Sequence, residues 1–181
     1  MNIKQLIVGP IQTNCYILTE GSHVVVIDPG GDIDEIAPFI DKEIDDIEDF
    51  RIVNTHHHHD HVLANEVLKT EFDGKILIHE DEKDYIDFEV DEFLKEGDEI
   101  QIGESTLQVI HTPGHTQGCI CLLGEDLLFS GDTIFDQGVG RTDLPGGDIS
   151  KLEESIQKLS KMVANGITVY PGHGSKFIWN H

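Results

Sequence analysis

The chain has 181 residues and sets 12 Lys and Arg against 35 Asp and Glu, a formal net charge of −23 at pH 7. This length fits one domain with a full core better than two, and the charge argues against nucleic acid as a partner, because phosphates are held by basic patches. No apolar stretch is long enough to span a membrane, and the run Leu6-Ile7-Val8 is halted by Gly9-Pro10 with no export-type cleavage site behind it.

Residues 3–8, 15–19 and 24–27 have the apolar, β-branched character of strands and turn at Asp28-Pro29-Gly30-Gly31. Ile33–Ile40 has helical spacing, with Asp32 placed to cap it. Residues 50–54 form a β-rich run, 62–68 have helical spacing, 75–79 form a strand, and the acidic stretch 80–91 is helical in part. A hairpin follows, residues 100–102 and 106–110 around Gly103-Glu104. Cys119 and Cys121 alternate with apolar neighbours in a strand that buries both on one face. With Cys15 they number three, so they cannot all pair within the chain, and the protein is expected to be cytoplasmic. Residues 127–130 are an apolar strand, 150–162 an amphipathic helix with Leu152, Ile156, Leu159 and Val163 on one face, and 168–170 a further strand. Strands and helices interleaved in both halves predict the α/β class.

Between the run 50–54 and the predicted helix 62–68 stands Thr55-His56-His57-His58-His59-Asp60-His61. In extended backbone, residues two apart point the same way, so His56 and His58 can face one metal ion. Asp60 and His61 lie where the chain turns into the helix and swing toward a different point. A histidine tag would sit at a terminus, not between a strand and a helix. Three more segments place one candidate each at a strand end or turn: His115 in Thr112-Pro113-Gly114-His115-Thr116, Asp132 in Gly131-Asp132-Thr133, and His173 in Pro171-Gly172-His173-Gly174. Five histidines and two aspartates exceed what one tetrahedral ion uses. Over two ions they divide into three His, Asp-His-His and a bridging carboxylate, with room for a shared water. Imidazole and carboxylate without thiolate suit zinc, iron or manganese.

In this order the four motifs resemble those of the metallo-β-lactamase superfamily and cover the chain almost end to end. Within it, the first motif followed by Asn65, and residues 138–148 (GVGRTDLPGGD), resemble the short, single-domain prokaryotic members of the glyoxalase II group, the hydroxyacylglutathione hydrolases. The resemblance implies a four-layer αβ/βα sandwich, with residues 1–181 as a single domain. Eight residues follow His173, so the C-terminal helical domain that two-domain relatives use for glutathione is expected to be absent. It implies two divalent ions, zinc foremost and iron or manganese as alternatives: His56, His58 and His115 for the first, Asp60, His61 and His173 for the second, and Asp132 bridging. The reaction implied is hydrolysis of a small-molecule thioester, S-lactoylglutathione or a related hydroxyacyl thioester. Two ions about 3.5–4 Å apart hold a hydroxide and lower its pKa toward neutrality, one polarises the carbonyl, and Asp60 both ligates and orients the nucleophile. Arg141 stands where relatives place a basic residue against a glutathione carboxylate, which a guanidinium grips through two parallel hydrogen bonds. The tyrosine often found two residues later is Asp143 here, and a salt bridge from Arg141 to Asp143 or Asp148 is the alternative. Leu63-Ala64 replace the Gly-Gly that many relatives carry, a change expected to narrow the site or shift the helix.

Rival readings within the superfamily are a persulfide dioxygenase with one iron on His56, His115 and Asp132, an exported class B β-lactamase, and a flavo-diiron reductase. A non-catalytic metal-binding module is the remaining class. His57 and His59 are expected to face away from the ions, His79 to cap a turn or lie at the surface, and His111 to support the ligands or orient its turn. His23 and His181 have no motif context. Gly114 and Gly172 are expected to permit tight turns.

Overall fold

Runs of Val, Ile and Leu extend the chain into strands whose alternate side chains face opposite ways. The computed structural model describes residues 1–40 and 46–180; His181 lies outside them. Strands β1 (Asn2–Val8), β2 (Thr13–Glu20), β3 (His23–Ile27), β4 (Asp49–Val53), β5 (Lys75–His79) and β6 (Glu92–Leu94) form a six-stranded sheet in chain order. Its first three strands are antiparallel and the rest parallel. Helix α1 (Ile33–Ile40) connects β3 to β4, and α2 (His59–Val62) and α3 (Asn65–Phe72) connect β4 to β5. The second half repeats the plan. Strands β7 (Glu99–Ile102), β8 (Ser105–His111), β9 (Ile120–Leu123) and β10 (Leu127–Gly131) run antiparallel. After a small hairpin of β11 (Ile134–Phe135) and β12 (Gly138–Val139), helix α4 (Ile149–Met162) crosses to β13 (Thr168–Pro171), parallel to β10, and β14 (Phe177–Ile178) closes that sheet's edge.

The period of two divides each strand between two cores. Val25, Ile27, Val53 and Leu77 of the first sheet pack against Val109, Ile120, Leu122 and Phe129 of the second. The intervening Val24, Val26, Ile52 and Ile76 meet Ile36, Ile40 and Leu68 of α1 and α3. On the far side Ile110, Cys121, Leu128 and Val169 meet Leu159 and Val163 of the α4 segment. Each such fully buried aliphatic side chain contributes about 1.5–3 kcal/mol. The layers therefore run helix, sheet, sheet, helix, the αβ/βα sandwich. Asp148 caps α4 by accepting the N–H groups of Ser150 and Lys151 at 2.9 and 3.2 Å, worth about 1 kcal/mol. Among the described residues, no helix is long and apolar enough to cross a membrane.

Two predicted elements differ. The helix expected over 62–68 is broken into α2 and α3 at Leu63-Ala64. Ala64 N–H leaves the helical ladder for Pro29 O at 2.9 Å, and Asn65 is buried with its amide turned to Asn54. Leu63 is exposed and Ala64 packs into the helix-side core, so the substitution marks the joint between helices. The stretch 80–91 yields only a single 3₁₀ turn, Glu80–Glu82, because the Glu82 carboxylate is drawn inward.

A clasp joins the two sheets at one end. Asn14 donates to Pro171 O and Gly174 O at 2.8 and 2.9 Å, Tyr16 donates to Pro171 O at 2.6 Å, and Thr13 forms an isolated bridge with His173.

Candidate metal centre

All seven candidate ligands lie beyond the ends of strands, Asp60 and His61 on α2 and the other five in loops, and four of them follow β4. Asn54 extends the sheet by donating its N–H to Leu77 O at 2.9 Å. Its side chain exchanges hydrogen bonds with the Asn65 amide at 3.2 and 2.8 Å and reaches His61 O at 3.1 Å. This buried amide pair ties the start of the loop to the start of α3 and fixes α2 between them. Asp28, just past β3, accepts both the N–H and the hydroxyl of Thr55 at 2.7 Å. It is buried at φ +53°, a left-handed conformation in which Asp is among the better tolerated residues. Gly30 is required by space: a Cβ there would stand 1.4 Å from Asp60 O.

These bonds set the tautomers. The Thr55 hydroxyl gives its one proton to Asp28, so it accepts from His56 Nδ1 at 3.1 Å and leaves His56 Nε2 with a lone pair. His115 Nδ1 donates to Arg141 O at 2.7 Å, which frees its Nε2, 2.9 Å from His58 Nδ1. His61 Nδ1 lies 3.0 Å from Asp28 Oδ2, while its Nε2 is 3.3 Å from Asp60 Oδ2 and 3.6 Å from Asp132 Oδ1. His173 Nε2 is 3.2 Å from Asp60 Oδ2 and 3.7 Å from Asp132 Oδ2, and His115 Nε2 is 3.6 Å from that same oxygen.

The donor atoms of His56, His58 and His115 all lie within 4.8 Å of one another, as do those of Asp60, His61 and His173. Asp132 forms a third such group with His56 and His61, one from each trio. Ligands about 2.0–2.1 Å from a shared tetrahedral ion stand about 3.4 Å apart, and the second trio and Asp132 are spaced close to that. Among the described residues, His56 Nε2 and Asp132 Oδ1 are buried without a hydrogen-bond partner. Such orphaned atoms cost about 1–3 kcal/mol each, and a cation between them would remove that cost. The donor set fits two ions.

Charge divides the two trios. Burial, then the rings of His61 and His115, holds His56 well below the ordinary histidine range, and burial with His115 brings His58 down to about 4. Burial opposes charge on His61 too, but the carboxylates of Asp28 and Asp132 outweigh it and raise that ring well above its ordinary value. His173 is raised by its hydrogen bond to Asp60. Burial works to raise Asp60, yet hydrogen bonds from His173, His61 and the Thr13 hydroxyl at 2.9 Å leave it far below the carboxylate range.

His57 turns away from both trios, hydrogen-bonded to Glu82 and stacked on Tyr85 at 4.8 Å, and His59 is exposed. The buried Glu82 also accepts from the Thr116 hydroxyl and from Gly118 N–H at 2.9 Å, so it fastens the His57–His58 segment to the His115 loop. Nothing in Glu80-Asp81-Glu82 distinguishes that one acid by sequence; Asp28, also unremarked as a partner, carries the signal of a turn directly after a strand. His79 is buried, not superficial. It caps the 3₁₀ turn by accepting Asp81 N–H at 3.2 Å and stacks on His111 at 4.0 Å. His111 Nε2 supports the ligand loop by donating to Gln117 O at 2.9 Å. The Arg141 guanidinium is bound to Asp143 by two hydrogen bonds of 2.7 Å, while Asp148 caps α4. Gly114 has φ +140° and backs onto Leu152. Gly172 answers to space, not to turn geometry: its Cβ would stand 2.2 Å from Asp132 Oδ1 and 2.8 Å from His61 Cε1.

A family model described as the Metallo-beta-lactamase superfamily matches residues 8–173. The chain is 32% identical over 193 residues to the probable metallo-hydrolase YqgX of Bacillus subtilis (strain 168), covering 96% of this chain and 90% of that protein. It is similar to the solved structure of BLEG-1 B3 metallo-beta-lactamase, with TM-score 0.89 and 31% identity over 98% of this chain and 94% of that one. It is also similar to TTHA1623 in a di-iron-bound form, with TM-score 0.84 and 29% identity over 97% and 94%.

Proposed function

The chain belongs to the metallo-beta-lactamase superfamily and is a metal-dependent hydrolase of that class; from this we propose that it cleaves hydroxyacyl thioesters at a two-ion centre. The observation that carries the reading is the placing of Asp132 between two complete trios, with one carboxylate oxygen toward His61 and the other toward His115 and His173. His56, His58 and His115 would hold one ion, Asp60, His61 and His173 the other, and Asp132 both. Two divalent ions, when bound, acidify a water toward neutrality and polarise a carbonyl. Zinc is the first choice, and the same donors suit iron.

The chain's own groups supply orientation. Asp28 holds Thr55 and faces His61, and Arg141 O fixes the His115 ring, so the donor nitrogens are preset before any ion arrives. Asp60 Oδ2, anchored by the Thr13 hydroxyl, can accept a hydrogen bond from the nucleophile and aim it. A thiolate leaves with little help from a proton, and histidine rings engaged as metal ligands would offer none. Thioesters therefore match a centre rich in electrophilic help and poor in general acids.

A second reading, hydrolysis of a β-lactam ring, is favoured by the likeness to BLEG-1. The test is to supply purified, metal-loaded protein with S-lactoylglutathione, a β-lactam and glutathione persulfide in turn. Free thiol from the thioester without oxygen uptake is expected, with two ions per chain. Ring opening of the β-lactam alone would install the second reading. Oxygen consumption with the persulfide and no thiol release would make the protein a persulfide dioxygenase.

A further inference from the structure

Two cavities open beside the centre, and their walls share one charge pattern. The first, of about 460 Å³, meets His57 and His58 and is walled by Asp84, Tyr85, Asp87 and Phe88 among others. The second, of about 420 Å³, meets His173 and is walled by Phe135, Asp136, Val139 and Ser175 among others. Among the described residues, no Lys or Arg lines either cavity. Two cations near the centre are engaged elsewhere. Arg141 is closed by Asp143 at 2.7 Å, and Lys176 holds its ammonium 5.7 Å from the centre of the Tyr170 ring. The charge of two divalent ions would be cancelled in formal count by Asp28, Asp60, Asp132 and a hydroxide, so selectivity beyond the centre falls to the walls.

A carboxylate or phosphate on the substrate would meet Asp84, Asp87 or Asp136 with no Lys or Arg in either lining to answer it, on a chain whose net charge is −23. An ammonium would meet those carboxylates, surroundings that favour cations. Resting on the thioester reading, we propose that the site selects by charge: it takes thioesters whose thiol half is neutral or cationic and rejects those carried on polyanionic thiols. Specificity of this kind comes as much from repulsion of the wrong substrate as from attraction of the right one.

The experiment uses four lactoyl thioesters with one acyl group: thiocholine (cationic), N-acetylcysteamine (neutral), glutathione (net anionic) and coenzyme A (polyanionic). On metal-loaded protein, kcat/KM should fall in that order, by about tenfold or more from first to last at low ionic strength. The spread should shrink as salt shortens the reach of the wall charges. Asp84→Asn with Asp87→Asn and Asp136→Asn should flatten the ranking at unchanged metal content. The matching unreactive thioethers, ranked by calorimetric affinity, report binding apart from turnover. A coenzyme A ester equal to or better than the thiocholine ester, or a ranking indifferent to salt, overturns the proposal. If none of the four esters is cleaved, the thioester reading fails by itself, and the thioethers alone decide: cation-favouring affinities uphold charge selection, and equal or anion-favouring ones end it.

Discussion

The two trios share a carboxylate and residue types, yet they are electrostatic opposites. Burial and neighbouring rings lower His56 and His58, so the first trio favours neutral rings, with His58 and His115 sharing a hydrogen bond. Asp28 and Asp132 push His61 up and the hydrogen bond to Asp60 pushes His173 up, so the second trio without metal favours charged rings set against carboxylates. The cause is position: Asp28 and Asp60 both lie on the His61 side. On the two-ion proposal, an ion entering the first trio would have one hydrogen bond between neutral rings to break, whereas an ion entering the second would have to displace protons. The proposed centre would then have two loading rules.

The hardest test of the comparison is to remove what the trios share. Asp132→Ala should cost both ions and lower turnover by more than the roughly 10–100-fold that supporting partners cost, read by metal analysis and thioester assay. Two ions retained by that variant would remove Asp132 from the centre. A smaller effect, one ion, comes from acid. Groups with raised pKa bind protons at higher pH, so on dialysis from pH 8 downward the second trio should empty first. The first should hold until protons compete at His58, whose ring titrates near 4. Metal per chain should then fall through a plateau at one; simultaneous loss of both ions would erase the distinction. In the metal-free protein, stability from the neutral His56 and His58 is fully present above their ordinary pKa of 6.5 and is lost as pH falls through that window. The smallest effect touches no ion. His57→Ala should keep both metals and activity but leave Glu82 short of a partner, costing about 1–3 kcal/mol and several degrees of Tm. Loss of metal in that variant would break the division between inward and outward histidines.

Much of this was legible in the chain because its signals are local. Alternation in an extended segment separates His56 and His58 from His57, and strand-end turns flag His115, Asp132 and His173. The order of motifs then carries the layered architecture. What escaped depends on distant partners. The break at Leu63-Ala64 is set by Asn65 turning to Asn54, and the Glu82 hub is one acid among 35 Asp and Glu until the fold brings Thr116 and Gly118 to it. Strands β11, β12 and β14 have two residues each, too few to show a period. At Arg141 both candidate partners were visible, and the helix decided between them by taking Asp148 as its cap.

The clasp between Asn14 or Tyr16 and the turn at Pro171–Gly174 joins residues 155 to 160 positions apart. Contacts of such separation form late, because the long intervening loop must close first. In chain order the first proposed trio ends at His115, whose ring is set by Arg141 O, whereas the second ends at His173 and needs the clasp that seats it. The second trio therefore depends on nearly the whole chain being in place, the first on the part up to Arg141.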